Sequence, residues 1–209
     1  ARATVSTGVI RDAILRTSRA VALAEGLIAT EGAKVDRVSF ELRSWNDLVK
    51  DGAIAHLSID MSEAGRRFGD IANPIPADAA PFLELWAAIL DPPSIGQNLL
   101  GARAYSRQMA SLGADQVALF IGGSGLHSYR GTGYLTTGIF ERLEVIQLEN
   151  TIRLGKDDYV RLDKLAPSDA PHIKEPSLFK LGPRSGFDPA KPFRIEVSAE
   201  RERPDGTIA

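Results

Sequence analysis

The chain has no cysteine and only three histidines among its 209 residues. The absence of cysteine excludes disulfides, thiolate nucleophiles, cysteine-ligated zinc and iron–sulfur clusters within this chain. It also fits an oxidising compartment, where stray thiols are a liability. His56, His127 and His172 lie far apart and form no i, i+4 pair, so their spacing predicts no metal site.

An excess of charge of one sign is also lacking, because the formal net charge is −2 at pH 7. Nucleic-acid binding would need a basic stripe or basic residues interleaved with aromatic ones, and neither is present. No apolar run reaches the roughly 18 residues of a membrane span, and the longest, residues 81–90, contains Glu84. With 44% hydrophobic and 25% charged residues, the composition is that of a soluble globular chain.

Helical and strand signals alternate over the first sixty residues. Apolar residues at spacings of three and four predict a helix over residues 8–25. Residues 36–42 have the pattern of a strand, and Ser44 with Asp47 predicts a short capped helix that ends at Gly52. A second strand follows, with one face made of Ala55, Leu57 and Ile59.

The remaining residues shift from helices to strands. Residues 61–80 begin as a short helix and continue as a proline- and alanine-rich loop, the best candidate for an internal boundary. Residues 81–90 predict a buried strand, residues 94–113 a helix and residues 116–122 a core strand. The buried side of that helix is expected to contain Ile95, Leu99, Leu100, Ala104 and Met109. Glycine- and proline-rich turns then separate short strands, so we predict an α+β fold, with a helix-rich N-terminal part followed by mostly antiparallel strands.

The last residues have the pattern of a hairpin. Phe193, Ile195 and Val197 alternate with polar residues, and residues 204–206 are Pro-Asp-Gly, a hairpin-type turn. Only three residues follow that turn, and the chain does not begin with methionine. We therefore expect an internal segment of a longer protein.

A short hydroxyl-rich stretch precedes the first predicted helix. Ser6 and Thr7 fit N-cap positions, while Thr4 sits just before the first turn and Arg2 adds a positive charge beside it. The free N–H groups and the dipole at a helix N-terminus also favour an anion, and Gly8 allows close approach to the backbone. From spacing alone both interpretations stay open, a cap or a phosphate held at this turn.

The stretch "RATVSTGVIRDAILRTSRAVA" resembles the flavin-attachment motif of the FMN-binding domain of respiratory electron-transfer proteins. Arg2 stands where the wider family has glycine, and the Arg-Ala-Thr-Val order is similar to that of the NosR/NirI family. The segments "PSIGQNLLG", "GTGYLTTGIFERLEVIQ", "NTIRL" and "FDPAKPFRIEVSAER" resemble the same family. The resemblance therefore covers nearly the whole chain.

The resemblance implies covalent FMN, joined through its phosphate to the Thr4 hydroxyl by a flavin transferase. The neighbouring residues expected at the cofactor are Arg2, Ala3, Val5, Ser6, Thr7 and Gly8. Residues 1–60 would be the C-terminal part of the FMN-binding domain and residues 61–209 an α+β periplasmic region, or both would form one domain.

The resemblance also implies a role in nitrous oxide respiration. Members of the family are membrane-anchored flavo-iron–sulfur proteins of denitrifiers, associated with the expression and activity of nitrous oxide reductase. The chain would be a periplasmic domain of an inner-membrane protein, with membrane spans and iron–sulfur clusters outside it. It would transfer electrons rather than convert a substrate. The alternative is a docking, maturation or regulatory module for nitrous oxide reductase in which the flavin is dispensable.

A glycine-rich stretch over residues 122–138 offers a second candidate site. It lacks the Gly-Lys-Ser/Thr of a P-loop, the helix of a dinucleotide fingerprint and the Gly-x-Ser-x-Gly order of a nucleophile elbow. Two interpretations remain: a flavin-covering turn, or a tight turn with half-buried tyrosines. Its candidate residues are Gly123, Tyr129, Arg130 and Tyr134. A hydrolase using Ser124 is a third, weaker alternative without a triad, and Trp45 and Trp86 are expected in the core.

Overall fold

A computed structural model describes residues 15–17, 35–76, 80–182, 185–189 and 191–208. These residues form three layers: a set of helices, a five-stranded antiparallel sheet and a four-stranded antiparallel sheet. The predicted α+β class is confirmed. Helices and strands are mixed along the first half of the described chain, and strands dominate the second half.

The strands are β1 (Leu15–Thr17), β2 (Ala55–Asp60), β3 (Pro81–Ile89), β4 (Val117–Ser124), β5 (Ile139–Gln147), β6 (Asn150–Gly155), β7 (Tyr159–Arg161), β8 (Glu175–Leu181) and β9 (Phe193–Val197). The α-helices are α1 (Trp45–Lys50), α2 (Met61–Phe68), α3 (Pro93–Leu100), α4 (Ala102–Ala110) and α5 (Tyr134–Thr137), with a 3₁₀ turn at Lys156–Asp158. The five-stranded sheet has the order β2-β3-β4-β8-β7 and the four-stranded sheet the order β1-β9-β5-β6.

The two sheets pack face to face and enclose what we call the strand-side core. Side chains alternate across a pleated strand, so every second residue of the five-stranded sheet points to this side. Its members on the two sheets include Leu85, Leu119, Ile121, Phe179, Leu143, Val145, Ile195 and Val197. A bulge between Ile59 and Asp60, opposite the start of β3, coincides with Phe82 and Leu83 both joining this core.

The opposite face of the five-stranded sheet packs against helices and forms the helix-side core. Trp86, Ala88, Phe120 and Leu178 supply the sheet surface, and helices α1 and α3 cover it with Trp45, Leu48 and Leu99. Trp45 and Trp86 are 3% exposed each and meet edge to face at 6.2 Å between ring centroids. The prediction that both tryptophans are core residues is confirmed.

Local signals define several elements as the sequence predicts. The Ser44 hydroxyl accepts from the Asp47 backbone N–H, and the Asp47 carboxylate accepts from the Ser44 N–H, which is a complete capping box for α1. The Asp60 side chain caps α2 by accepting from the Glu63 N–H, and Gly69 ends that helix with a φ of 70°. The predicted strands over residues 53–60, 81–90 and 116–122 are confirmed as β2, β3 and β4.

The helix predicted over residues 8–25 is wrong at its centre, because Leu15–Thr17 form β1. This strand pairs antiparallel with β9, with Leu15 opposite Ile195 and Thr17 opposite Phe193. Ladder hydrogen bonds with an adjacent strand outweigh the helical periodicity of these residues. The rest of the predicted helix lies outside the described residues.

Two other expectations also need correction. Residues 36–42 form no strand; their backbone is held by side chains, such as Ser94, whose Oγ accepts from the Glu41 N–H. The single helix predicted over residues 94–113 is split into α3 and α4 at Gly101, whose φ of 77° and ψ of 152° interrupt the helix. Leu99 and Leu100 are buried as expected, whereas α4 contributes no fully buried residue.

The predicted C-terminal strand is β9, with Phe193, Ile195 and Val197 buried on one side. The turn at residues 204–206 is closed by the Arg203 N–H, which donates to the Thr207 carbonyl, and by a bridge between Glu202 and Ile208. β2 lies within residues 1–60, the predicted FMN-binding part, and it pairs with β3 from the following part in a single sheet. The extent of an FMN-binding domain within residues 1–60 stays a prediction.

Candidate functional site

The residues predicted to hold the flavin phosphate, Arg2 to Gly8 with Thr4 at the centre, lie outside the described residues. The nearest described element along the chain is β1. It forms one edge of the four-stranded sheet beside β9. The role of Thr4 stays a prediction.

The glycine-rich stretch begins at the end of β4 and turns tightly against the start of β3. Gly125 has a φ of 107°, and a Cβ there would lie 2.7 Å from the Phe82 carbonyl oxygen. The His127 N–H donates to that same carbonyl at 2.8 Å. Glycine is therefore required at residue 125 by backbone packing alone.

Tyr129 is fully buried, and its ring packs on Gly123. A Cβ at Gly123 would lie 2.4 Å from Tyr129 Cδ1. The Tyr129 hydroxyl lies 2.6 Å from Ser177 Oγ and 3.0 Å from the Glu175 carbonyl oxygen. Burial raises the pKa of this phenol, which stays protonated. Gly123 and Tyr129 therefore pack against each other, and a contact of either residue with a flavin stays a prediction.

Arg130 lies at the edge of the same turn and already has two partners. Its Nη1 donates to the Tyr159 hydroxyl at 2.9 Å, and its Nη2 lies 3.5 Å from Glu175 Oε1. Glu175 also accepts from the Ser128 hydroxyl at 2.7 Å. The positive charge of Arg130 is thus largely compensated within the protein, and a contact between Arg130 and a flavin stays a prediction.

Tyr134 begins the short helix α5 and is half-buried. Its ring stacks on Phe140 at 4.5 Å between centroids and meets Tyr159 edge to face at 5.8 Å. Phe179 completes this aromatic cluster at 5.0 Å from Phe140. Of the two tyrosines predicted in this stretch, Tyr134 is therefore the more exposed. Its contact with a flavin also stays a prediction.

The structure gives no support to a hydrolase built on Ser124. The Ser124 hydroxyl donates to the His172 carbonyl and accepts from the Lys174 N–H, so it is occupied within a turn. The His56 side chain also has partners of its own: its Nε2 lies 3.0 Å from Glu84 Oε1, and its ring stacks on Trp86 at 5.0 Å between centroids. Within the described ranges no group of three or more acidic, histidine or cysteine side chains is placed to hold a metal ion.

A cationic cluster at one end of the strand-side core was not predicted from the sequence. Arg142 on β5 donates from Nη1 to the Ser128 carbonyl at 3.1 Å, and Arg201, four residues beyond β9, lies over the rings of Phe82 and Phe68. His127 lies between these elements, and its ring stacks on Phe82 at 5.5 Å between centroids. Residues this far apart in sequence give no local pattern, so only the fold brings them together.

His127 is neutral over the physiological range. Burial, followed by the positive charges of Arg142 and Arg201, lowers its pKa to about 4. Its Nε2 lies 3.0 Å from the Ser198 carbonyl oxygen, so this nitrogen carries the proton and donates. Burial and the nearby Arg142 also lower the pKa of the Arg201 guanidinium. The cluster is therefore a positively charged region around a neutral imidazole.

The segment before α1 was also missed as a surface feature. Val38, Phe40 and Leu42, which we call the apolar strip, are 88%, 48% and 83% exposed. The backbone between them is bound to α3: Ser94 Oγ donates to the Ser39 carbonyl, and Asn98 Nδ2 donates to the Glu41 carbonyl. Phe40 and Leu42 border a cleft of about 610 Å³ that reaches residues 166–169.

A buried carboxylate anchors the start of this segment. Asp91 is 1% exposed and accepts from Arg37 Nη2 and from the Ala118 N–H, both at 2.8 Å. Burial raises the pKa of Asp91, and the Ala118 N–H and the Arg37 charge oppose that rise.

No helix within the described part of the chain has the length and apolar character needed to cross a bilayer.

Comparisons with known proteins identify relatives of the whole chain. No protein-family model and no solved structure matches it. It is 42% identical to Protein NirI of Paracoccus denitrificans over 203 residues. It is 34% identical to Regulatory protein NosR of Pseudomonas aeruginosa and 32% identical to Regulatory protein NosR of Stutzerimonas stutzeri, each over 212 residues.

Each match covers 96% of this chain but 29% to 30% of the relative. The chain therefore spans about 30% of the length of these curated relatives. These alignments cover nearly the whole chain at 32% to 42% identity, far beyond any one motif. The chain belongs to the NosR/NirI family.

Proposed function

We propose that this chain is the flavin-carrying, periplasmic electron-transfer part of a NosR-type protein that supports nitrous oxide reductase. FMN is attached through its phosphate to the Thr4 hydroxyl, and a separate flavin transferase installs it. The observation that carries the proposal is the 42% identity to NirI over 96% of the chain, together with the order Arg2-Ala3-Thr4-Val5. The regulatory role in the names of the NosR relatives is consistent with it.

In this proposal the chain itself holds and positions the cofactor. Thr4 supplies the ester oxygen, and the backbone N–H groups of Ser6, Thr7 and Gly8 bind the phosphate oxygens. The flavin supplies the redox chemistry when bound, and the described residues need no nucleophile or general base. Tyr134 and Arg130, at the edge of the glycine-rich turn, would contact the ring in this proposal.

Replacing Thr4 with valine tests the attachment directly. Valine keeps the shape of the side chain and removes the hydroxyl that forms the ester. We expect the Thr4→Val variant, produced together with the flavin transferase, to lose covalent flavin fluorescence in a denaturing gel and the FMN-sized increment in intact mass. Thr151→Val, at an exposed position of β6, is the matched control and keeps both signals. Covalent flavin on Thr4→Val would overturn the attachment.

A second candidate function is a docking module for nitrous oxide reductase or its maturation factors. The apolar strip favours it, because three large side chains held outward on a pinned backbone are unusual for a surface that meets only water. In cells, Thr4→Val removes nitrous oxide reduction if the chain transfers electrons. If docking alone is required, Thr4→Val retains reduction, whereas serine at residues 38, 40 and 42 abolishes it.

A further inference from the structure

We propose that Arg142 and Arg201 form a binding site for an oxyanion, the phosphate or carboxylate group of a small molecule, beside His127. The site lies at the end of the strand-side core where β5 and the segment after β9 run next to each other. It is separate from Thr4 and does not rest on the flavin attachment proposed above.

The protein backbone fixes the two arginines in one place. The Ser198 N–H donates to the Arg142 carbonyl at 2.9 Å, which ties the segment leading to Arg201 onto β5. Arg142 packs against the turn at Gly131, where a Cβ would lie 3.4 Å from its guanidinium carbon. Arg201 is held over Phe82, with its guanidinium carbon 5.5 Å from the ring centroid.

Neither arginine has a carboxylate partner within 4 Å among the residues that the structure describes. Other arginines of the chain do: Arg37 pairs with Asp91 at 2.8 Å, and Arg130 lies 3.5 Å from Glu175. Glu200 and Glu202 flank Arg201 in sequence but are exposed, and neither forms an ion pair with it. Burial, followed by the positive charge of Arg142, lowers the pKa of Arg201, and an anion between the two guanidinium groups would offset their repulsion.

The charges around His127 indicate the same ligand. Arg142 from β5 and Arg201 from the segment after β9 both act on the imidazole, and no negative group among the described residues offsets them. From β3 the uncharged Phe82 packs against it. An oxyanion bound here would compensate the two positive charges and make protonation of His127 easier.

The geometry of the donors selects the ligand class. A guanidinium group presents a planar fork of N–H donors that matches the oxygens of a phosphate or carboxylate. Two such groups, rather than a long basic stripe, suit a single anionic group and not a nucleic-acid backbone. One source is a free phosphate.

The phosphate of FMN is the other source. Leu15 pairs with Ile195, six residues before Arg201, and Thr4 precedes Leu15 by eleven residues. Eleven residues can span up to about 36 Å, so a group carried by Thr4 is within reach of the cluster.

Nuclear magnetic resonance of His127 and of the amides around it tests the site. Sodium phosphate is added to the flavin-free protein at pH 7 and constant ionic strength, with chloride as the balancing salt. We expect saturable shifts at residues 127–131 and 198–201, and a rise in the pKa of His127. Arg142→Gln and Arg201→Gln each weaken phosphate binding at least tenfold. Arg153→Gln, on the exposed surface of β6, leaves it unchanged.

Non-saturating shifts, or equal weakening by Arg153→Gln, would overturn the proposal. FMN and riboflavin then separate phosphate recognition from ring recognition, since riboflavin lacks the phosphate. We expect FMN to shift the same residues as phosphate and riboflavin to leave them unchanged; equal binding of both would also overturn the site.

The flavinylated protein distinguishes the two sources of the anion. If the FMN on Thr4 supplies it, the flavinylated chain no longer binds free phosphate, and Thr4→Val restores binding. If the source is a free anion, both proteins bind phosphate equally. Phosphate binding by Thr4→Val also separates this site from the attachment, because that variant lacks covalent flavin in either case.

Discussion

The two faces of the five-stranded sheet are covered in different ways. The strand-side core is closed by a second sheet, and the buried side chains contributed there by β3, β4 and β5 are almost all apolar. The helix-side core is covered by short helices and by a segment that side chains such as Ser94 and Asn98 hold through hydrogen bonds. It also contains the buried carboxylate of Asp91. The two faces therefore differ in what covers them: a second sheet on the strand side, and short helices with a hydrogen-bonded segment on the helix side.

This difference predicts that truncating a strand-side aromatic residue has the largest effect. Phe179 is fully buried and contacts Phe140 and Tyr159. Phe179→Ala should lower the free energy of unfolding by about 3–5 kcal/mol, because it removes apolar burial and leaves a cavity. Urea denaturation measures the change. Leu135→Ala, at an exposed position of α5, is the control and should change it by less than about 0.5 kcal/mol.

His127, at one end of the strand-side core, should make the stability of the folded protein sensitive to acid. The pKa of His127 is lowered from 6.5 to about 4 in the folded protein, so the unfolded chain binds the proton more tightly. Stability is then lost as the pH falls from 6.5 towards 4, by about 3 kcal/mol from this group. His127→Gln keeps an N–H donor for the Ser198 carbonyl and should remove this loss. Parallel stability curves for the two proteins between pH 7 and pH 4.5 would contradict the prediction.

Adding one methyl group tests how closely the glycine-rich turn packs. A Cβ at Gly123 would overlap the Tyr129 ring, so Gly123→Ala should cost about 1–3 kcal/mol in thermal or urea unfolding. Gly65→Ala is the matched control, because a Cβ there meets nothing within 4 Å and alanine favours the helix by about 0.5–1 kcal/mol. Equal stability of the two variants would show that Tyr129 can move away from Gly123.

The helix side should respond to pH in the opposite direction, with a smaller effect. Burial raises the pKa of Asp91 above 3.8, so the folded state binds this proton more tightly. The stability it contributes is complete below that value and declines as the pH rises through the folded pKa. Asp91→Asn keeps an acceptor for the Ala118 N–H and should abolish the decline. The effect is small because Arg37 stabilises the carboxylate. Urea denaturation at several pH values measures it, and an Asp91→Asn stability profile with the same pH dependence as the wild type would contradict the prediction.

Local sequence patterns determined the elements whose ends are encoded by neighbouring side chains. The capping box of Ser44 and Asp47 places α1, alternating apolar residues place β2 and β9, and short apolar runs place β3 and β4. Family membership also followed from the sequence, because several separate segments resemble the NosR/NirI proteins. These features involve residues that are close along the chain or motifs that keep their order.

Only the tertiary structure decided the features that depend on distant partners. The pairing of β1 with β9 replaces a predicted helix, and Gly101 splits a continuous helical pattern into two helices. The fold places Tyr129 on Gly123, and it brings Arg142 and Arg201 close to a neutral His127, with no carboxylate within 4 Å of either arginine among the described residues. Periodicity reports which face of an element is apolar, but not which element will cover it, because that choice is made by contacts across the whole chain.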